Sequence, residues 1–272
     1  MKLSYISSQW QLIWHKQLRR PYRLHIIDHG TNGPTVILLH GIAASSANWS
    51  HMLEELQPKY HCITIDLLGF GDSPKPQWGD YTLDDHMRAI RYTIRKLHLR
   101  SEYILVGHSL GSLLATHYAR LWSHRIQRLL LLSPPIYSPL DAIGSTVARK
   151  RTALFLKLYK FVRTHPRMTP QNFKRLGRLL PLPTSIVVHP ETWIPFMRTL
   201  EHCIEQQVIH DDLAQLHVPT TIFYGLLDQL LVIANITLLA KTAGIASISI
   251  RGANHDVGRR YAKTVAKHLT TI

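Results

Sequence analysis

The stretch that decides the fold is Ile104-Leu105-Val106-Gly107-His108-Ser109-Leu110-Gly111-Ser112-Leu113-Leu114-Ala115. An apolar run typical of a buried β-strand leads into Gly-x-Ser-x-Gly, and an apolar segment with helical spacing follows. Strand, sharp turn and helix in this order present a serine side chain at the edge of a sheet. Gly107 and Gly111 leave room for the strained turn, and the N-terminus of the helix favours negative charge beside Ser109.

The segments on either side of this stretch alternate between strands and helices. Apolar runs such as Thr35-Val36-Ile37-Leu38-Leu39 are typical of strands buried on both faces of a parallel sheet. The alternation predicts a mostly parallel, doubly wound α/β sheet with helices on both faces. Besides the strand before Ser109, we expect strands at 11–18, 22–28, 35–39, 62–65, 126–132, 220–224 and 246–250. Helices are expected to begin near Ser46 and to span 82–97, 230–242 and 257–269.

The alternation stops at Ser133-Pro134-Pro135 and resumes at Pro219. Residues 134–216 have a helical or irregular pattern that several prolines interrupt. We therefore expect one α/β domain, formed by residues 1–133 and 217–272. A helical insertion at 134–216 is expected to form a cap, or lid, over it.

Two further residues complete a nucleophilic site around Ser109. A serine hydroxyl is a poor nucleophile at neutral pH and needs a base, normally a histidine that a carboxylate orients. Asp228 follows the strand at 220–224, and His255 follows the strand at 246–250, so both lie where a parallel sheet binds its ligands. The order Ser109, Asp228, His255 is that of the nucleophile-elbow class, and it predicts a catalytic triad.

Three other aspartates are weaker candidates for the acid. Asp256 is adjacent to His255, and neighbouring residues in a turn seldom aim their side chains at each other. Asp211 and Asp212 lie in the insertion, away from the strand ends.

Acyl transfer also needs donors for the developing oxyanion. We expect one from the backbone N–H of Leu110, which follows the nucleophile, and one from Ile42, in the loop after the strand at 35–39. His40 is expected to shape that loop through a structural hydrogen bond. Substrate contacts are expected from His40, His108 and Trp49.

Together these motifs resemble the α/β-hydrolase superfamily over the whole chain. The matching features are His40-Gly41 followed by Trp49, the loop 66–73, Gly107-His108-Ser109-Leu110-Gly111, Asp228 and His255. The resemblance implies an eight-stranded sheet with a helical cap after the sixth strand. It also implies a serine hydrolase that needs no cofactor. Its substrate is expected to be a small acyl compound, either a carboxylic ester or a thioester.

Within the superfamily, several branches fit less well. Similar haloalkane dehalogenases and epoxide hydrolases use aspartate where this chain has Ser109. The loop at 40–43 reads His-Gly-Ile-Ala rather than the His-Gly-Gly-Gly of hormone-sensitive-lipase types. Carbon–carbon bond hydrolases commonly have tryptophan after the histidine, where this chain has Asp256. A carbon–carbon bond or lactone hydrolase stays an alternative, as does a docking or receptor protein with a vestigial site.

The chain is strongly basic, with a formal net charge of +15. Residues 149–178 contain ten Lys or Arg and no Asp or Glu. Helical spacing predicts that Arg149, Lys157, Lys160 and Arg163 lie opposite an apolar face, with Lys150 at the border and Arg151 among the apolar positions. That apolar face comprises Val147, Leu154, Phe155, Leu158, Phe161 and Val162.

This basic amphipathic helix is either an ordinary solvated lid helix or a docking surface for an anionic partner. An acyl carrier protein, as for the similar pimeloyl-carrier-protein methyl esterases, an anionic lipid and a carboxylate-bearing substrate all qualify. Nucleic acid is not expected, because aromatic residues do not interleave on the basic face and no DNA-binding motif is visible.

Composition and segment patterns bear on location and metal content. The 18 histidines form no zinc-binding spacing, so no metal is expected. The two cysteines form no CxxC motif, and the first twenty residues lack the apolar core of a signal peptide. The most apolar long window, 221–240, contains Asp228, Gln229 and Asn235, so no transmembrane segment is expected. We therefore predict a cytoplasmic protein.

Overall fold

The computed structural model describes residues 10–30, 33–137, 141, 143, 145–177 and 186–270. Seven strands in these ranges pair into one sheet: β1 (Ile26–Asp28), β2 (Thr35–Leu39), β3 (His61–Ile65), β4 (Tyr103–His108), β5 (Ile126–Leu132), β6 (Thr220–Gly225) and β7 (Ala246–Ile250). The strand order is β1-β3-β2-β4-β5-β6-β7. β1 is antiparallel to β3, and every other neighbouring pair is parallel. The mostly parallel α/β sheet is thus confirmed.

Apolar side chains cover both faces of this sheet. Successive residues of a strand point to opposite faces, and in β2 Ile37 and Leu39 pack in one core cluster while Val36 and Leu38 pack in another. All five residues of β2 and all six of β4 are buried. Burial on both faces explains why these strands are continuous apolar runs in the sequence.

Nine α-helices lie in the described ranges: α1 (Ser50–Leu56), α2 (Leu83–Lys96), α3 (Leu110–Leu121), α4 (Thr146–Thr164), α5 (Pro170–Gly177), α6 (Trp193–Thr199), α7 (Ile209–Ala214), α8 (Ile233–Thr242) and α9 (Arg259–Thr270). α1 and α9 cover one face of the sheet, whereas α2, α3 and α8 cover the other. Short 3₁₀ turns occur at Ser46–Trp49, Ser123–Arg125 and Pro190–Thr192, and π-helical turns at Leu12–Gln17 and Leu200–Glu205. None of the helices in these ranges combines the length and apolar character that crossing a bilayer requires.

The N-terminal part differs from the prediction. The expected strand at 11–18 is instead the π-helical turn Leu12–Gln17, and only the last three residues of 22–28 form a strand. The expected eight-stranded sheet therefore has seven strands within the described residues. The apolar residues at 10, 14 and 18 recur every four positions, a spacing that fits one face of a helix and one face of a strand alike, and they stay exposed.

The segment between β5 and β6, which we call the insert (residues 134–216), contains α4 to α7 in its described part. Polar contacts join it to the helices beside the sheet. His86 of α2 is within hydrogen-bond distance of Thr199, 3.3 Å between Nε2 and Oγ1. Asp212 of α7 is buried and accepts from the Nδ1 of His117 at 2.8 Å and from the Nε of Arg120 at 2.6 Å, both on α3.

The Asp212 contacts predict a stability effect. Replacing Asp212 by Ala leaves the Arg120 guanidinium and His117 without their acceptor in a mostly buried setting, and we expect a loss of about 2 kcal/mol in the free energy of unfolding. Urea unfolding followed by circular dichroism measures it. The adjacent Asp211 is exposed, so Asp211→Ala is the matched control, and an equal effect of both variants would contradict the assignment.

Candidate active site

The Gly-x-Ser-x-Gly stretch forms a tight turn between β4 and α3. β4 ends at His108 and α3 begins at Leu110, so Ser109 occupies the turn alone, with φ 52° and ψ −119°. A non-glycine residue holds such a conformation only when its surroundings enforce it. Here the Ser109 N–H donates to the Leu132 carbonyl at 2.9 Å. The strained turn is therefore fixed to the neighbouring strand β5.

Two glycines permit this turn because no side chain fits at either position. A methyl group at Gly107 would overlap with the carbonyl oxygen of Gly111, and one at Gly111 would overlap with the carbonyl oxygen of Leu39. The start of α3 therefore lies directly against the ends of β2 and β4. This close approach places Ser109 at the carboxyl edge of the sheet.

His255 and Asp228 form a buried pair at the same edge. The loops that carry them follow β7 and β6, and the Leu227 N–H joins these loops by donating to the Ala253 carbonyl at 2.9 Å. The His255 Nδ1 lies 2.8 Å from the Asp228 Oδ2, and both residues are less than 5% exposed. Because an ionised carboxylate only accepts hydrogen bonds, Nδ1 is the donor, and Nε2 is left free to act as a base.

His108, the residue before Ser109, holds the His255 loop in place. Its Nε2 donates to the His255 carbonyl at 2.8 Å, and the two rings lie 5.0 Å apart between centroids. Burial, followed by the nearby His255, lowers the pKa of His108 to about 3. His108 is therefore neutral at physiological pH and contributes one fixed N–H donor rather than a charge.

The loop after β2 lies against Ser109. A methyl group at Gly41 would lie 3.2 Å from the Ser109 Cβ, and Ile42 lines a cavity together with Ser109. On the other side, Leu110 is the first residue of α3, and its N–H has no acceptor within the helix. The two residues expected to form an oxyanion hole thus lie beside Ser109.

An apolar cavity opens above Ser109, and the insert supplies most of its wall. Its polar side chains are Ser109 and Tyr159, and the Tyr159 hydroxyl is paired with that of Tyr137 at 2.7 Å. The apolar lining comprises Ile42, Pro135, Leu158, Val162, Phe173, Leu176, Ile186, Phe196, Leu200, Ile204 and Leu230. This wall suits a hydrocarbon chain rather than a charged group.

A larger and more open groove lies nearby, between the loop after β2 and residues 187–192. It is lined by polar residues such as Asp66, Asp72 and Glu191, and Ser109 does not line it. Of these two, the apolar cavity is the one that Ser109, the expected nucleophile, lines.

A family model described as alpha/beta hydrolase fold matches residues 34–257. The chain belongs to this α/β-hydrolase family. Solved structures agree: a haloalkane dehalogenase DbeA-M1 loop variant from Bradyrhizobium elkanii superposes with a TM-score of 0.70 at 20% identity, covering 91% of this chain and 95% of that chain. At that identity the likeness concerns the fold alone.

Curated relatives match this α/β-hydrolase over part of its length. "Probable lysophospholipase BODYGUARD 4" from Arabidopsis thaliana is 39% identical over 121 residues, which cover 43% of this chain and 29% of that protein. "Haloalkane dehalogenase" from Mesorhizobium japonicum is 37% identical over 107 residues, covering 39% of this chain and 33% of that protein. The matches thus span about a third or less of these relatives.

The residues expected to contact substrate lie outside the cavity lining. His40 is fully buried; its Nε2 accepts from the Leu67 N–H at 2.9 Å, and its Nδ1 donates to the Gly41 carbonyl at 2.7 Å. Trp49 is buried, and its ring lies edge to face against that of His108, 6.4 Å apart between centroids. His108 holds the His255 loop. His40 and His108 thus support the backbone around the site, and Trp49 packs against His108.

Of the residues that line the cavity, Ser109 and Ile42 were predicted as site residues, and the others were not. Tyr159, Phe173, Phe196 and Leu200 come from three separate segments of the insert, and their only sequence signal is helical periodicity. Periodicity assigns a residue to a buried face but does not say which cavity that face encloses.

His25, Asp66 and Asp72 bring three potential metal ligands within 4.8 Å of one another. Asp66 is already saturated: one carboxylate oxygen accepts from the N–H and the hydroxyl of Ser46, both at 2.7 Å, and the other from the Asp72 N–H at 2.8 Å and His25 Nδ1 at 3.0 Å. Burial would raise its pKa, but the hydrogen bonds from Asp72 and Ser46 hold that pKa below the usual value. This group fixes two loops and is not a ligand set awaiting an ion.

The His108 contact predicts a positioning effect. In His108→Phe the His255 loop loses its donor, so we expect kcat to fall about tenfold or more while KM changes little. The acid limb of the pH–rate profile should keep its midpoint, because His108 stays neutral down to a pKa of about 3. Steady-state kinetics on a soluble ester between pH 5 and 9 measures both, with His124→Phe, at an exposed position, as the control. A displaced acid limb would contradict the positioning role.

Proposed function

We propose that this α/β-hydrolase cleaves a carboxylic ester or thioester through an acyl-enzyme formed on Ser109. The observation that carries the proposal is the buried His255–Asp228 pair, 2.8 Å apart, at the sheet edge where Ser109 lines an apolar cavity. A base oriented by a carboxylate beside a serine in a strained turn is the arrangement that acyl transfer requires.

The proposed reaction begins when the Ser109 Oγ attacks the acyl carbon and its proton passes to the Nε2 of His255. Asp228 stabilises the imidazolium that forms, and the N–H groups of Ile42 and Leu110 bind the oxyanion. The tetrahedral intermediate collapses as His255 protonates the departing alcohol or thiol. A water molecule, activated by the same histidine, then attacks the acyl-enzyme and restores the Ser109 hydroxyl.

The serine at position 109 supports ester chemistry over dehalogenation. A carboxylate that displaces a halide forms an ester, which water can cleave at its carbonyl carbon. A serine that displaced a halide would form an ether, which has no carbonyl for water to attack. The similarity to a protein named haloalkane dehalogenase therefore supports a shared fold and not a shared reaction.

The cavity supports a substrate with an aliphatic acyl chain. Its wall is hydrocarbon apart from the hydroxyls of Ser109 and Tyr159, and the relative named probable lysophospholipase suggests a lipid ester. We propose that the insert, residues 134–216, acts as the cap that sets this preference. A cytoplasmic location is also part of the proposal, and it is supported by Cys62 and Cys203, which are both unpaired and buried.

The first test concerns the nucleophile. We expect a fluorophosphonate probe to label the protein and p-nitrophenyl esters to be hydrolysed, whereas Ser109→Ala should abolish labelling and lower kcat by about 10⁴-fold or more. Ser112→Ala is the control. The Ser112 hydroxyl donates a hydrogen bond to the Gly107 carbonyl at 2.7 Å, so it is not expected to react with the probe. Labelling that survives in Ser109→Ala would refute the assignment. Turnover of vinylogous diketones or lactones with inert simple esters would favour the alternative reactions.

The second test concerns the acyl chain. Val162 lines the cavity, so Val162→Phe should fill part of it and shift the preference toward shorter p-nitrophenyl esters. We expect kcat/KM for long chains to fall about tenfold or more relative to acetate. Val147→Phe makes the same change on the exposed side of the same helix and should leave the preference unchanged. An unchanged chain-length profile in Val162→Phe would place the acyl chain elsewhere.

A further inference from the structure

Helix α4 carries an exposed apolar stripe that the reaction does not use. Val147, Leu154 and Phe161 are 78%, 62% and 47% exposed. They follow one another at intervals of seven residues, so they lie along one side of the helix. Helical spacing put these three residues on one apolar face with Phe155, Leu158 and Val162, and the structure shows that this face is divided into an exposed and a more buried part. The cost of exposing three large apolar side chains in a row points to a partner surface.

Lysines run parallel to this stripe. Lys150 and Lys157 are exposed and also seven residues apart, and each lies three or four positions from two members of the stripe. Neither is paired with an acidic side chain among the described residues. No Asp or Glu occurs between residues 146 and 164. The exposed side of α4 therefore combines hydrocarbon with uncompensated positive charge.

The three arginines of α4 are engaged within the protein. Arg163 forms ion pairs with Glu201 at 2.9 Å and Glu205 at 3.2 Å. The Arg149 guanidinium donates to the Ile143 carbonyl at 2.8 Å, and that of Arg151 to the Gln229 carbonyl at 2.8 Å. These arginines fix the helix against its neighbours, which leaves the lysines as the charges available to a partner.

The neighbouring face of α4 lines the cavity. Leu158, Tyr159 and Val162 line it, and Leu158 is separated from the stripe residues Leu154 and Phe161 by only three or four positions. One helix thus contacts both the cavity and the outside. A surface bound to the stripe would lie within one helix diameter, roughly 10 Å, of the cavity.

We propose that α4 binds the protein to an anionic membrane surface. The stripe residues Val147, Leu154 and Phe161 enter the boundary between headgroups and acyl chains, and Lys150 and Lys157 contact the phosphates. Fourteen residues of helix extend about 21 Å, and a straight apolar line of that length matches a planar interface. Interfacial helices combine such an apolar face with lysines in this way. The docking goes beyond the proposed reaction and does not depend on it.

Vesicle binding of the full-length protein tests the proposal. All proteins in the binding assay carry Ser109→Ala, so that lipid hydrolysis does not affect the measured binding. Cosedimentation compares vesicles of phosphatidylcholine alone with vesicles that also contain phosphatidylglycerol. We expect clear binding only to the anionic vesicles, and weaker binding as salt increases. Each lysine near an anionic surface contributes about fivefold in affinity, so Lys150→Glu/Lys157→Glu should reduce binding at least about 25-fold.

Two further variants separate charge from hydrocarbon. Leu154→Ser/Phe161→Ser removes apolar area without changing the charge and should reduce binding about tenfold or more. Lys59→Glu/Lys263→Glu makes the same charge change as the lysine variant at exposed positions remote from α4, and should retain at least half of the binding. Each variant is also made in the protein that retains Ser109. Its hydrolysis of soluble p-nitrophenyl acetate then confirms that the fold is intact.

Several outcomes would overturn the proposal. One is equal binding of the α4 variants and the Lys59/Lys263 control, and another is loss of binding only when Trp10 and Trp14, exposed on the N-terminal turn, are replaced. A third is a dimer in light scattering that Leu154→Ser converts to a monomer, since the stripe would then join two copies of the chain. A fourth is absence of vesicle binding with α4-dependent binding to an acidic acyl carrier protein.

Discussion

The close approach of α3 to the ends of β2 and β4 is the constraint on which the site depends. Gly111 lies against the Leu39 carbonyl and Gly107 against the Gly111 carbonyl, and neither position has space for a Cβ. This contact holds Ser109 in a backbone conformation that a serine avoids elsewhere. It also sets Ile42 and Leu110 on either side of the serine. A larger residue at either glycine would move the helix and thereby Ser109, Leu110 and the mouth of the cavity together.

Buried histidines extend this constraint to the rest of the site. His40 joins the loop after β2 to Leu67, and His108 joins the turn to the His255 loop. Burial lowers the pKa of both histidines, so that each is a neutral hydrogen-bonding group. A neutral imidazole can satisfy two backbone groups at once without the cost of a buried charge. The motif residues His40 and His108 are thus best understood as backbone supports, which leaves His255 as the proposed base.

The sequence predicted the sheet well because burial on both faces leaves a continuous apolar run, as in Thr35–Leu39. The residues that the structure pairs, Asp228 and His255, were also predicted, since parallel strands bring the loops after their carboxyl ends together. Prediction was weaker where contacts join distant segments. Leu12–Gln17 has an apolar pattern that fits strand and helix alike, and nothing local decides between them. In α4, Leu154 and Phe161 have the helical spacing typical of a buried face. The face of α4 that is buried is instead the one with Tyr159 and Val162, which line a cavity formed by several segments of the insert.

Helix α4 has an exposed apolar face and a face that lines the cavity. Together they explain why this helix has large apolar side chains in contact with water. In a helix that only closes a cavity, polar residues at 147, 154 and 161 would be more stable in water than Val, Leu and Phe, because about half or more of each of these side chains is exposed. Lysines beside them would repel one another without an acidic neighbour. Both features become favourable at an anionic bilayer, where the apolar area is buried and each ammonium group meets a phosphate. The proposed acyl-chain site on the neighbouring face of the same helix gives that arrangement a use. An ester drawn from the bilayer would have to pass only one helix to reach Ser109.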